Sequence, residues 1–381
     1  MRIATITTTH HNVGDDFARE GIMHLVDEAG GGAAEYVHIH KHLPITSRRN
    51  WAWLHNRGVA KALDRLPGMP GSRLAHRLDA LVPLASNDAI RMADLVIQCG
   101  APIYWRNEYS TCATAEWVNP LLRRRVADGG KRLFNIGGGT CQGYHSNGGE
   151  VSADEAIARF IRWYCDIAEL TIVRDRLSAQ ILEDCGRKAL LLPCPSLFAR
   201  DRWGISEQDP EYAVVNLMPL GGHYDLDGDL KPDRWQQVLR QFVPKLHQQF
   251  PCVIACHSKN EANMARELFP SIPLFFSPRF QDYLPFYSKA RFGIGNRVHG
   301  AFAMASFGRP SLVVGTDSRA RMVEMIGLQH RYLNDISAGE ALNHAQRLES
   351  SREAFARQMV SLRETTRKEY LEALGKRLSP N

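Results

Sequence analysis

The chain has 381 residues, 44% of them hydrophobic and 23% charged, the balance of a globular protein too long for one ordinary core. Its formal net charge of +6 is spread thinly. The only dense cluster, Arg123-Arg124-Arg125, sits beside Leu121, Leu122 and Val126 and reads as a helix's wet face, so the basic stripe of a nucleic-acid binder is missing. No run approaches the roughly 18 apolar residues of a membrane span. The 8 cysteines include no C-x-x-C pair, which argues against a zinc knuckle or a disulfide framework.

In chain order, Arg2 to Thr7 reads as a first strand. The N-terminus lacks the positive-then-apolar profile of a signal peptide, so a cytoplasmic protein is expected. A loop from His10 to Asp16 leads into a helix from Phe17 to Ala29, with Gly14 for the turn and Asp15 or Asp16 as cap. Glu35 to Leu43 follows as a strand with His38, His40 and His42 on one face. Such a period could ligate a metal, but no carboxylate accompanies it, and edge or interface histidines are the plainer reading, so no metal site is expected.

Residues 46–90 show no β pattern and read as an irregular helical insertion. Trp51, Trp53 and Trp117 suit either a sugar platform or buried anchors. Strands resume at Ala93 to Ile97, ending in Gly100-Ala101-Pro102, and at Arg132 to Ile136, ending in Gly137, Gly138 and Gly139. Glycine at strand ends lets a ligand or another backbone approach closely. A helix over Ala153 to Ala168 and a strand over Glu169 to Val173 lead to Arg174. Asp175 and Ser178 open the next helix as capping and first-turn residues, whereas Arg174 at the strand's carboxyl end is not needed for capping.

Asp201 to Glu211 is polar and serves as linker. A second α/β series follows: strand Tyr212 to Leu217, helix Asp233 to Gln249, and strand Cys252 to Cys256 with both cysteines toward the core. A helix then begins at His257-Ser258, and Phe280 to Tyr287 is expected to help complete the sheet. The most informative stretch is Ala290 to Gly315. Phe292 to Ile294 is a buried strand, Ala301 to Phe307 a packed helix stopped by Gly308 and Pro310, and Ser311 to Val314 a further strand. The loop between carries Asn296, Arg297 and His299 at a strand's carboxyl end and a helix N-terminus, where open α/β sheets bind anions. Arg297 can grip phosphate or carboxylate in two places, and His299 can carry a proton. Beyond Asp335 the chain is helical, and Ser350 to Lys376 should pack back across both halves. This sets out two α/β domains, 1–200 and 212–345, with a C-terminal helix over 346–381.

Arg297-Val298-His299-Gly300, Gly308-Arg309-Pro310, Asp317-Ser318-Arg319 and Gly327-Leu328 together resemble the C-terminal motif of the polysaccharide pyruvyl transferase family, R-L-H-G, G-x-P, D-x-K and G-L. Asn12-x-Gly14-Asp15 resembles the family's first motif. Arg174-Asp175-x-x-Ser178 resembles its R-D-x-x-S, and His257 the histidine before its second-domain helix. The family has Lys where Arg319 stands and Asp-Pro where Cys194-Pro195 stands. Its first glycine-rich turn is reduced here around Ala101.

The resemblance implies two Rossmann-like domains in a GT-B-type arrangement around a cleft. It implies transfer of pyruvate from phosphoenolpyruvate onto two hydroxyls of a sugar, making a cyclic ketal without metal or redox cofactor. Arg297, Arg174 and Arg319 would hold the anions, with Asn12, Asn296 and Gly137 to Gly139 lining the site. His299 would donate the proton or meet the phosphate, and His257 or Asp15 would take protons from the hydroxyls. The acceptor would be a nucleotide- or lipid-linked sugar, which allows peripheral association with a membrane. The alternatives are a glycosyltransferase of the same architecture using a nucleotide sugar, and a non-catalytic binding relative.

Overall fold

A computed structural model describes residues 1–8, 12–40, 86–105, 122–231 and 233–378. Most of the expected insertion, together with His10, His11, His42, Trp51, Trp53 and Trp117, lies outside the described residues.

The first half is a parallel six-stranded sheet. Its strands are β1 (Arg2–Thr7), β2 (Glu35–His40), β3 (Leu95–Cys99), β4 (Arg132–Gly138), β5 (Leu170–Val173) and β6 (Leu190–Leu191). They lie in the order β2-β1-β3-β4-β5-β6. The helices are α1 (Val13–Ala29), α2 (Ser86–Met92), α3 (Glu155–Ile167) and α4 (Arg176–Asp184). β1 and β3 are buried on both faces, and their apolar residues alternate with or precede the buried polar side chains of Thr5, Thr7 and Gln98. β2 is an edge strand, and His38 Nδ1 is 2.7 Å from the Thr5 hydroxyl of β1.

The second half repeats the plan with β7 (Tyr212–Asn216), β8 (Cys252–Cys256), β9 (Leu274–Phe276), β10 (Ala290–Gly295), β11 (Ser311–Gly315) and β12 (Gln329–Tyr332). Their order is β12-β11-β10-β7-β8-β9, the dinucleotide-fold order read from its far edge. The helices are α5 (Arg234–Gln249), α6 (Lys259–Leu268), α7 (Tyr283–Ser288) and α8 (Val298–Ser306). A 41-residue helix, α9 (Ala338–Leu378), closes the chain. It packs on both halves: Ala341 and Ala345 enter the second core, while Phe355, Met359 and Tyr370 join a cluster with Ile22 and Leu25 of α1 and Phe302 of α8.

Three expectations change. Phe280 to Tyr287 is helical, a 3-10 turn running into α7. Phe280, Tyr283, Leu284 and Tyr287 are all buried, and their spacing is that of one helix face. The third strand on that side is instead β9. α1 begins at Val13, capped by the Asn12 side chain on the Gly14 N–H at 3.0 Å, so Asp15 and Asp16 lie in its first turn. α8 begins at Val298, so His299 stands in a helix rather than a loop. Its residues from Gly300 to Ser306 are all buried, as expected of a helix apolar all round.

Candidate active site

Each sheet has one switch point, between β1 and β3 in the first and between β7 and β10 in the second. Crevices at the carboxyl ends of strands form at such points. Here the two face each other across a cleft of about 660 Å³. Asn12 and Asp15 line it from beyond β1, Arg174 from beyond β5, His257 from beyond β8. Asn296, Arg297 and His299 come from beyond β10, and Arg319 from beyond β11. The halves also meet directly, through a bridge between Gly143 and Asp317 and a hydrogen bond from the Gln142 N–H to the Ser318 hydroxyl at 2.9 Å.

Arg174 is 2% exposed and makes no salt bridge among the described residues. The adjacent Asp175 is occupied by the Ser178 N–H and hydroxyl, both at 2.7 Å. Arg174 Nη1 lies 3.3 Å from His299 Nε2, and its Nε has no hydrogen-bond partner. Gly137, Gly138 and Gly139 do not line the cleft as expected. Of the three, only Gly139 abuts Arg174, where a Cβ would lie 2.8 Å from Nε; Cβ atoms at Gly137 and Gly138 would instead meet Pro195 and the Asn135 side chain. The smallness of Gly139 seats the guanidinium, and that of the other two seats the protein's own Pro195 and Asn135.

The other two arginines are paired. Arg297 donates to buried Glu261, and its Nη1 lies 3.4 Å from His223 Nε2. Arg297 Nε is again without a partner. Arg319 makes a two-pronged bond to Asp317, at 2.8 and 2.6 Å, beneath the ring of Tyr224. Burial alone would push the Asp317 carboxyl up, yet the Arg319 guanidinium outweighs it and holds the group below its usual range. Asn296 is a clamp rather than a free ligand group: its amide donates to the Val314 carbonyl at 2.9 Å and accepts from the Met218 N–H at 3.4 Å.

Both histidines are held neutral. Burial, then Arg174 and Arg319, push His299 well below the ordinary imidazole range. Because a guanidinium only donates, His299 Nε2 is the acceptor and its proton sits on Nδ1. Burial, then Arg297 and His299, do the same to His257. His257 Nε2 lies 2.7 Å from the Tyr287 hydroxyl, and its Nδ1 is buried without a partner. Glu261, Tyr287, His223 and Asp317 are the residues that sequence reasoning did not assign to the site. Asp317 stands inside the D-x-R motif, while the other three become visible only once α6, α7 and the loop after β7 are brought together.

Two α/β domains with an arginine-lined cleft between their switch points define a GT-B-type fold. Solved structures agree on the fold. S. aureus MnaA, solved with UDP, has a TM-score of 0.55 at 12% identity, over 94% of this chain and 90% of that one. A putative UDP-N-acetylglucosamine 2-epimerase from Listeria monocytogenes gives 0.55 at 10% over the same shares. UDP-GlcNAc 2-epimerase from Neisseria meningitidis, bound to UDP-GlcNAc, gives 0.54 at 11%, over 99% and 100%. No curated protein sequence matches the chain. The family model for polysaccharide pyruvyl transferase matches residues 12–318, and the chain belongs to that family. Among the described residues no helix is long and apolar enough to cross a membrane.

Proposed function

We propose that this protein transfers pyruvate from phosphoenolpyruvate to two hydroxyls of a sugar in a nucleotide- or lipid-linked glycan precursor, forming a pyruvyl ketal. The observation that carries the reading is Arg174, a buried cation without a carboxylate partner, facing a cleft shared with Arg297 and Arg319. A lone buried charge is costly, and a small polyanion with a carboxylate and a phosphate suits three guanidinium groups spread around it. Glu261 and Asp317 pair with two of the three, so Arg174 is the guanidinium left without a carboxylate partner, in a cleft that Asp15 also lines.

In the reaction, a proton adds to C3 of the enol and the first sugar hydroxyl adds to C2. Phosphate then leaves with the electron pair of its C–O bond, and the second hydroxyl closes the ketal. Of the two hydroxyl protons released, one balances the proton gained at C3 and the other leaves on phosphate. Arg174, Arg297 and Arg319 orient the donor and stabilise its departing phosphate. Burial, then Arg174 and Arg319, hold His299 neutral; a bound anion offsets the two guanidinium groups and raises its proton affinity, which suits His299 to carry the proton given to C3. The Asp15 carboxylate and His257 are the candidates for taking the hydroxyl protons. The chemistry needs no metal or redox cofactor.

The test is incubation with phosphoenolpyruvate and a glycan acceptor, following phosphate release and the acceptor's mass. Stoichiometric phosphate with gain of one pyruvyl group, unaffected by chelator, is the expected result. The nucleotide-sugar reading is favoured by the neighbours' fold alone, and hexose transfer without phosphate release from phosphoenolpyruvate would establish it instead.

A further inference from the structure

Building on the pyruvyl-transfer reading, we propose that His257 acts as a fixed hydrogen-bond donor to the donor substrate's anionic oxygens, not as a base, and that Tyr287 is the positioning residue that makes it so. Tyr287 is fully buried on α7, with its hydroxyl 2.7 Å from His257 Nε2. That oxygen also accepts from Asn216 Nδ2 at 3.4 Å. The Asn216 amide is oriented by its second donation, to the Ala255 carbonyl, also at 3.4 Å. Burial pushes the Tyr287 phenol far above its ordinary range, so it keeps its proton. A hydroxyl has one proton and two acceptor lone pairs; Asn216 is a donor to it, so among its partners in the described residues Nε2 is the one able to accept that proton. A neutral imidazole accepting at Nε2 carries its hydrogen on Nδ1.

His257 lines the cleft, and its Nδ1 has no partner among the described residues. A buried donor left unpaired costs free energy, and an anionic oxygen in the cleft removes that cost. A base must turn its lone pair toward the substrate, whereas here the lone pair faces Tyr287. The donor is also clamped. Glu261 accepts the His257 backbone N–H on Oε2 at 2.7 Å and holds Arg297 on Oε1. The imidazole packs against the Tyr283 ring, centroids 4.8 Å apart. One carboxylate thus positions both His257, through its backbone, and Arg297, through Nη2. Acceptance of the hydroxyl protons then falls to Asp15.

Histidine-selective nitrogen labelling reads the tautomer directly by NMR. His257 is expected to show a protonated Nδ1 and a bare Nε2 in the free protein, with this preference lost in Tyr287→Phe. A protonated Nε2 in the unsubstituted protein overturns the proposal. Calorimetric titration with phosphoenolpyruvate, and separately with inorganic phosphate, reads the consequence. His257→Ala should weaken binding about 10- to 100-fold, the effect of a hydrogen bond to a charged group. His257→Asn keeps an N–H near the δ position and should recover most of that loss. Equal losses in the two variants overturn the proposal. If the protein binds phosphate but not phosphoenolpyruvate, the pyruvyl-transfer reading falls while the His257 assignment is decided on the phosphate titrations. If it binds neither anion, both fall.

Discussion

His299 concentrates the electrostatics of the cleft at one residue, and the sign of its response to ligand is fixed. Its imidazole is pushed well below the ordinary range by burial, Arg174 and Arg319. A trianion bound beside those guanidinium groups offsets them, so the proton affinity of His299 rises. At pH 7.5, where free His299 is neutral, phosphoenolpyruvate should bind with net proton uptake. Calorimetry in buffers of different ionisation enthalpy measures this, and His299→Gln should abolish it. Proton release, or no transfer, would count against His299 as the acid. Stability follows the same linkage. A histidine whose folded-state pKa is depressed binds fewer protons folded than unfolded, so stability falls as pH drops below about 6.5. The melting temperature of His299→Gln should therefore decline less steeply through that range than that of the unsubstituted protein.

At the scale of elements, the site depends on how closely α1 approaches α8. A Cβ at Gly14, in the first turn of α1, would lie 2.8 Å from the His299 Cβ and nearer still to Nδ1. Gly14→Ala would ordinarily gain about 0.5–1 kcal/mol inside a helix. Here overpacking, typically 1–3 kcal/mol, should win. We expect a lower melting temperature and a marked loss of turnover. In the Gly14→Ala/His299→Gly double variant the stability losses should be strongly non-additive, because removing the His299 ring and its Cβ relieves the clash. Additive losses would mean that α1 and α8 do not share this contact. Gly14 was legible in the sequence as important, but for the wrong reason: a turn was inferred, whereas the constraint is an approach between residues 285 positions apart. The same division holds elsewhere. Long buried strands and their carboxyl-end residues, Asn12, Arg174, His257 and Arg297 among them, can be read from apolar runs and the residues that follow them. The three-residue strand β9 is too short to show a period, and the aromatic density of Phe280 to Tyr287 concealed its helical spacing. Glu261 and Tyr287 reach their partners Arg297 and His257 across 36 and 30 residues, so no local pattern could announce them.

At the scale of the whole molecule, the proposed donor site belongs to neither half. Arg174 and Asn12 come from the first sheet's helix-bearing loops, and Arg297, His257 and Arg319 from the second's. The halves are held in this relation from behind by α9, where Arg363 pairs with Asp201 at 2.5 Å and Tyr370 donates to the Pro193 carbonyl at 2.8 Å. A ligand that binds only the folded, assembled cleft stabilises it by about 2.7 kcal/mol at one hundred times its dissociation constant. In a chain of this size that is a rise of about 2–4 °C in melting temperature. Phosphoenolpyruvate, with its carboxylate and phosphate, should therefore raise the melting temperature more than equimolar inorganic phosphate does. Arg174→Ala in the first half and Arg297→Ala in the second should each remove most of that difference. A ligand seated on one half alone would be sensitive to only one of the two substitutions, and that result would break the two-walled site into a single-domain anion pocket. Stabilisation by a nucleotide sugar with no response to phosphoenolpyruvate would move the assignment to glycosyl transfer.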